Sequence, residues 1–260
     1  MSYITVENLG FSYENNSRKI LEGLNLEVDS GEFVCILGKS GCGKSTLLRL
    51  LSGLEMPTYG SIKLNDTEIK EAGLDRAVVF QDYGLFPWFS AGDNISLALK
   101  QKYPDKSKSE IKNMATEALK SVGLEEDIYY KLPKELSGGM QQRCAIAQAF
   151  SLDSPVLLMD EPFGAIDAVT RANLQDLIIN LYNNEDQKKT VFFVTHDVDE
   201  AILLANRIVV LGQSPSKIIF DLKLDKSTVM TRENQFNDKK TIELRNLLIK
   251  KINEDISNKL

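Results

Sequence analysis

The sequence predicts an α/β fold, with a mostly parallel sheet covered by helices, an N-terminal antiparallel β part and an inserted helical subdomain. Three observations carry this prediction. Short continuous apolar runs recur at 33–37, 77–80, 156–159, 191–194 and 208–211, as in strands buried on both faces. Helical spacing separates several of them, for example Leu174, Leu177, Ile178 and Leu181, and this alternation implies parallel strands with crossover helices. The middle of the chain instead carries Ile111, Met114, Ala115, Ala118, Leu119 and Val122 on one helical face.

Taken in order, Ile4, Val6 and Leu9, then Leu24, Leu26 and Val28, alternate apolar with polar as half-buried strands do. The run 33–37 ends in a glycine-rich turn, and 46–52 reads as a helix that Gly53 stops. Ser107 and Glu110 have capping-box spacing at the start of the amphipathic helix, and Gly123 fits its end. The insert therefore spans about 84–153 of a domain covering 1–215. The tail, 216–260, holds a β-like piece at 217–222, a polar linker, and a helical pattern in Ile242, Leu244, Leu247, Leu248 and Ile252.

Bulk properties exclude several classes. The chain has 260 residues, with 31 Lys+Arg against 37 Asp+Glu and a net charge of −6. An acidic chain lacks the footprint of a nucleic-acid binder, so no nucleic-acid partner is expected. No apolar stretch approaches the roughly 20 residues needed to span a bilayer. The N-terminus has no basic segment before an apolar core, so no signal peptide is expected and a cytoplasmic location is. Cys35, Cys42 and Cys144 are scattered, without metal or disulfide spacing.

Gly38-Lys39-Ser40-Gly41-Cys42-Gly43-Lys44-Ser45 matches GxxxxGK[ST] between a buried strand and a helix that Thr46 continues. Glycines there permit positive φ and close backbone approach, so successive N–H groups can wrap phosphate oxygens. Lys44 reaches the outer phosphates and Ser45 ligates Mg²⁺ in such a loop, which makes ATP and Mg²⁺ the expected cofactors. The strand 156–159 ends in Asp160 and Glu161. Beside a phosphate loop, Asp160 suits Mg²⁺ and Glu161 suits a general base for water. His196, the only histidine, follows the run 191–194. A lone histidine is usually structural, but here it is a candidate γ-phosphate sensor. Ser137-Gly138-Gly139, opening a further helix, is a second anion site by the same helix-terminus physics.

Together with Leu136-Ser137-Gly138-Gly139-Met140-Gln141-Gln142-Arg143, these motifs resemble the ABC transporter ATPases in family order, over residues 1–215. The resemblance implies that Tyr13 stacks on adenine. It implies that Gln81 joins Mg²⁺ and water to the transporter contact, and that Gly164-Ala165-Ile166-Asp167 communicates across a dimer. Met140 and Ile166 replace the commoner Gln and Leu, both at positions that tolerate apolar side chains. The family works as a head-to-tail homodimer, with ATP between one phosphate loop and the opposite Ser137–Gly139 segment. It lies peripherally on the cytoplasmic membrane face, drives integral permease subunits, and as an importer needs an external solute-binding protein. The stretches Gln81 to Trp88 and Thr195 to Ala201 look most like the nitrate/sulfonate/taurine importer branch. Leu85, Phe86, Pro87, Trp88 and Phe89 form a surface loop, by resemblance the groove for the membrane subunit; the competing reading is core. The alternative, a soluble ABC ATPase of translation or DNA repair, would carry two motif sets or a long coiled coil before the signature. This chain has one set, and Thr46 to Glu135 leaves no room for the coil. A non-hydrolysing scaffold would have lost Lys44, Glu161 or His196.

Overall fold

The computed structural model describes residues 3–13, 18–164, 166–184, 188–224, 232 and 237–257. It divides into two compact units, Met1–Gly73 with Gln187–Leu260, and Leu74–Asp186. The first runs through β1 (Ile4–Ser12), β2 (Lys19–Val28), β3 (Phe33–Leu37), α1 (Lys44–Ser52), β4 (Tyr59–Leu64) and β5 (Thr67–Glu68). The second holds β6 (Arg76–Val79), α2 (Ala91–Lys102), α3 (Lys108–Ser121), α4 (Gly138–Ser151), β7 (Val156–Asp160) and α5 (Ala168–Asn183). The chain returns to the first with β8 (Thr190–Thr195), α6 (Val198–Leu204), β9 (Arg207–Leu211), β10 (Ile218–Lys223) and α7 (Lys239–Ser257).

In the first unit an antiparallel sheet has the order β2-β1-β4-β5. The alternation of β1 holds for Ile4 opposite Val28 and Val6 opposite Leu26. It then breaks at Asn8, whose φ is 45°. The register shift brings Leu9 opposite Leu24 and Phe11 opposite Leu21, so both are buried although strict alternation would put them on the face opposite Ile4 and Val6. The ring of Tyr59 covers Gly10, where a Cβ would lie 2.1 Å from it.

Strand β3 is buried along its whole length. It runs parallel to both β8 and β9, and β10 joins β9 antiparallel. Buried Arg207 stitches one end of these strands. It donates to Asp221 at 2.7 and 2.9 Å and to Glu32 at 2.9 Å, and the bond to Asp221 leads the effects that raise its pKa.

In the second unit β6 and β7 pair in parallel, with Val79 beside Met159. The apolar run 77–80 outlasts the strand: Phe80 is exposed and accepts from Tyr83 N in a turn where Tyr83 and Gly84 have φ of 67° and 65°. Helix α3 carries the expected capping box. Glu110 N donates to Ser107 Oγ, Ser107 N donates to the Glu110 carboxylate, and Gly123 follows the helix at φ 72°. Helix α1 starts two residues before its apolar pattern, because left-handed Gly43 already accepts from Leu47 N. Gly53 ends it at φ 76°, where a Cβ would lie 2.2 Å from Glu71 O.

Ala165 and most of the polar linker after β10 lie outside the described residues. Among the described residues, no helix is long and apolar enough to cross a membrane.

Candidate functional site

The first unit gathers the phosphate loop, His196 and Tyr13. Leu37 pairs with Thr195, so Gly38 and His196 leave the same C-terminal edge of neighbouring parallel strands, the edge where ligands of open α/β sheets bind. Gly38 is required by crowding: a Cβ would lie 2.7 Å from Cys42 Sγ and 2.9 Å from Leu211 O. Gly41 and Gly43 take φ of 78° and 99°, a region L side chains avoid. The loop closes around Lys44, whose Nζ donates to Gly38 O at 3.0 Å and Lys39 O at 3.2 Å.

Gly43 offers no side chain to cap α1, and the first turn of α1 contains no acidic residue. The partial positive charge of about half a unit at this helix start therefore meets no carboxylate within its own first turn. Lys39, Ser40 and Gly41 are exposed at the rim, while Thr46 packs beneath it. Burial pushes the Cys42 thiol up, which disfavours a reactive thiolate.

Tyr13 is 40% exposed, with its hydroxyl 3.5 Å from Thr46 Oγ1 and its ring edge-on to buried Phe11 at 4.8 Å. That leaves a supported aromatic surface near α1. His196 is exposed at the end of β8, between two restrained neighbours. Thr195 Oγ1 donates to buried Glu200 at 2.6 Å and accepts from Asp197 N at 3.0 Å; Asp197 Oδ1 caps α6 through Asp199 N and Glu200 N.

The second unit gathers Gln81, Asp160, Glu161 and the Ser-Gly-Gly segment. Val79 beside Met159 sets Gln81, past the end of β6, and Asp160-Glu161, at the end of β7, along one edge. A Cβ on Gly164 would lie 3.9 Å from Gln81 Nε2 and 3.5 Å from Glu161 O, so the amide of Gln81 reaches the turn that carries Glu161. Glu161 has φ 43°; a non-glycine residue in the left-handed region stores strain of the kind that clusters at working sites. Ser137 caps α4 by accepting from Met140 N at 3.3 Å. A Cβ on Gly138 would lie 3.1 Å from the Tyr83 hydroxyl, and one on Gly139 2.6 Å from Thr170 Cγ2. Asp167 caps α5, and the Thr170 backbone and side-chain bonds hold its carboxyl below the usual range.

Sequence reasoning missed Asn94. It is 2% exposed, donates to Phe86 O, Phe89 O and Ser90 O, and accepts from Phe86 N at 2.7 Å. Its signal was weak, because an Asn within a helix start rarely announces side-chain contacts to the loop before it. The loop it holds is at the surface: Phe86 is 42% and Trp88 68% exposed.

A strand–glycine loop–helix cradle, strand-end carboxylates and a Ser-Gly-Gly helix start define a phosphate-loop nucleoside triphosphatase. The ABC transporter family model matches residues 21–164. The chain is 49% identical over 199 residues to a nitrate import ATP-binding protein of Synechococcus elongatus, covering 76% of this chain and 72% of that one. It is 43% identical over 222 residues to a bicarbonate transport ATP-binding protein of the same species, covering 85% and 79%. A further relative is an uncharacterised ABC transporter ATP-binding protein of Methanocaldococcus jannaschii, at 47% over 227 residues, covering 85% and 82%. A dimeric ATP-binding cassette solved in a post-hydrolysis state with ADP and Pi superposes with a TM-score of 0.75 at 32% identity, covering 85% of this chain and 99% of that one. The chain belongs to the ABC transporter family. It is an ATP-binding, ATP-hydrolysing transport subunit, and the relatives lend nothing to a role in translation or DNA repair.

Proposed function

We propose that the chain powers an importer of a small anion, binding ATP with Mg²⁺ and acting as a homodimer on integral permease subunits fed by an external solute-binding protein. It sits peripherally at the cytoplasmic membrane face. The phosphate loop carries this reading: Lys44 coiled within it, two left-handed glycines, and a helix start without acidic residues. The nitrate and bicarbonate relatives support a small anion as the solute.

In this reading Gly38, Lys39, Ser40, Gly41, Cys42, Gly43 and Thr46 wrap the phosphates with backbone donors, and Lys44 exchanges its carbonyl partners for the outer phosphates. Tyr13 stacks on the base. Ser45, Asp160 and Gln81 would hold Mg²⁺; this hard oxygen set suits that ion, and Gln81 Nε2 already lies by the Glu161 turn. Bound there, the ion would supply positive charge against the phosphate oxygens. Glu161 takes a proton from the attacking water, and His196 contacts the γ-phosphate. Ser137, Gly138 and Gly139 of the partner subunit close the site.

The test is Glu161→Gln. It leaves the phosphate loop untouched, so ATP affinity stays within about twofold while turnover falls at least about 10²-fold, the usual cost of a lost general base. ATP should then hold a dimer visible by size-exclusion chromatography. Near-normal turnover, or a monomer at saturating ATP, would refute the assignment. Uptake of labelled nitrate and bicarbonate by the reconstituted transporter separates the anions.

A further inference from the structure

The docking face of the terminal helix α7 is not purely apolar. Thr241, Arg245, Leu248, Ile252 and Asp255 follow one another at i, i+4, i+7, i+11 and i+14, one stripe of a helix. Thr241 and Leu248 are fully buried within it. Each charged member grips a segment that leads to a phosphate-site residue. Arg245 Nε donates to Asp199 Oδ1 at 2.6 Å. Asp199 lies in the first turn of α6, three residues after His196, and its N–H is tied to the same Asp197 carboxylate that follows His196.

At the far end Asp255 Oδ2 accepts from Gln213 N at 2.7 Å, on the loop after β9. That loop backs the phosphate loop. Leu211 O crowds Gly38, and Ser216 Oγ donates to Gly212 O at 2.9 Å and to the carbonyl oxygen of Cys42. Ten residues of α7, about 15 Å at the helical rise, separate Arg245 from Asp255.

We propose that α7 is a strut that fixes the phosphate loop and the His196 segment relative to one another. Arg245 is a positioning residue for His196, and Asp255 is one for the phosphate loop. The inference rests on reading His196 as the γ-phosphate contact. The Arg245 and Asp199 side chains are 22% and 39% exposed, a half-buried pair near one end of the chain whose loss costs modest global stability. Its removal therefore leaves the fold in place while freeing His196.

Full-length variants test this by ATP titration, steady-state ATPase and thermal melting. Arg245→Ala should lower kcat about tenfold or more, a modest misplacement cost, with ATP Kd within about twofold. Asp255→Ala should show the opposite split, weaker ATP binding with kcat at saturation within about twofold, because the contacts it supports bind substrate and transition state alike. The charge swap of Arg245→Asp with Asp199→Arg should recover much of the lost kcat. Two results overturn the strut: wild-type kcat in Arg245→Ala, or equal losses of affinity and kcat at both ends together with earlier melting and no recovery in the swap. His196→Ala separates the two layers. If it turns over normally, the reading of His196 itself fails; if it is inactive while Arg245→Ala is normal, only the strut fails.

Discussion

Tyr13 illustrates how a single residue earns a role from its support. Its ring is propped edge-on by buried Phe11, and its hydroxyl reaches Thr46 on the helix that follows the phosphate loop. An exposed, braced aromatic beside a phosphate cradle is a surface for a base. Stacking of a base on an aromatic is worth about 1–3 kcal/mol by analogy with single-strand binders. Tyr13→Ala should therefore weaken ATP binding about 5- to 150-fold, measured by nucleotide titration. Tyr13→Phe keeps the ring and loses only a long contact to Thr46, so it should be mild. Unchanged binding in the Ala variant would move the base elsewhere. Phe11 is then a poor substitute, because it is 5% exposed and faces the core.

At the scale of elements, what the sequence made legible was whatever rests on local rules. The capping box at Ser107 and Glu110 and the stop at Gly53 follow from short-range chemistry and stand where that chemistry puts them. The phosphate loop was legible because glycine spacing maps directly onto backbone shape. Less legible were features set by distant partners. The burial of both Leu9 and Phe11 depends on a bulge at Asn8, and the end of β6 at Val79 depends on a left-handed turn at Tyr83. Asn94 was hidden for the same reason, since its partners belong to a loop with no pattern of its own. Deleting its amide strands Phe86 N and removes one donor each from Phe86 O, Phe89 O and Ser90 O, of which Phe86 O keeps Phe89 N and Ser90 O keeps Asn94 N. We expect Asn94→Ala to lower stability by about 2 kcal/mol, the scale of a lost buried polar partner. Trp88 is the only tryptophan of the chain, so its fluorescence anisotropy reports directly on the loop and should fall. Unchanged anisotropy and melting would mean that the ring contacts alone hold the loop.

For the whole molecule, the question is how ATP hydrolysis reaches a membrane this chain does not itself cross by any described helix. We propose the loop after Gln81 as the output. Phe86, Trp88 and Phe89 form a cluster with ring centroids 5.5 to 6.4 Å apart, and Trp88 exposes 68% of its surface. That exposure speaks against the core reading: a core tryptophan would not leave most of its area in water. Exposed aromatics grouped on one loop mark a partner site, and a tryptophan at its centre has hot-spot character. The same loop follows Gln81, whose amide lies by the turn carrying Glu161, so a change at that turn has a short path to it. Trp88→Ala should leave the melting temperature nearly unchanged and keep the ATPase of the isolated chain within about threefold, since little buried area is lost. In the assembled transporter it should weaken association with the membrane subunit by about 2 kcal/mol or more and uncouple uptake from hydrolysis. Co-purification and uptake measured on one preparation decide the matter. Early melting with loss of basal ATPase would return the loop to the core, and normal co-purification with normal uptake would place the membrane contact on another surface.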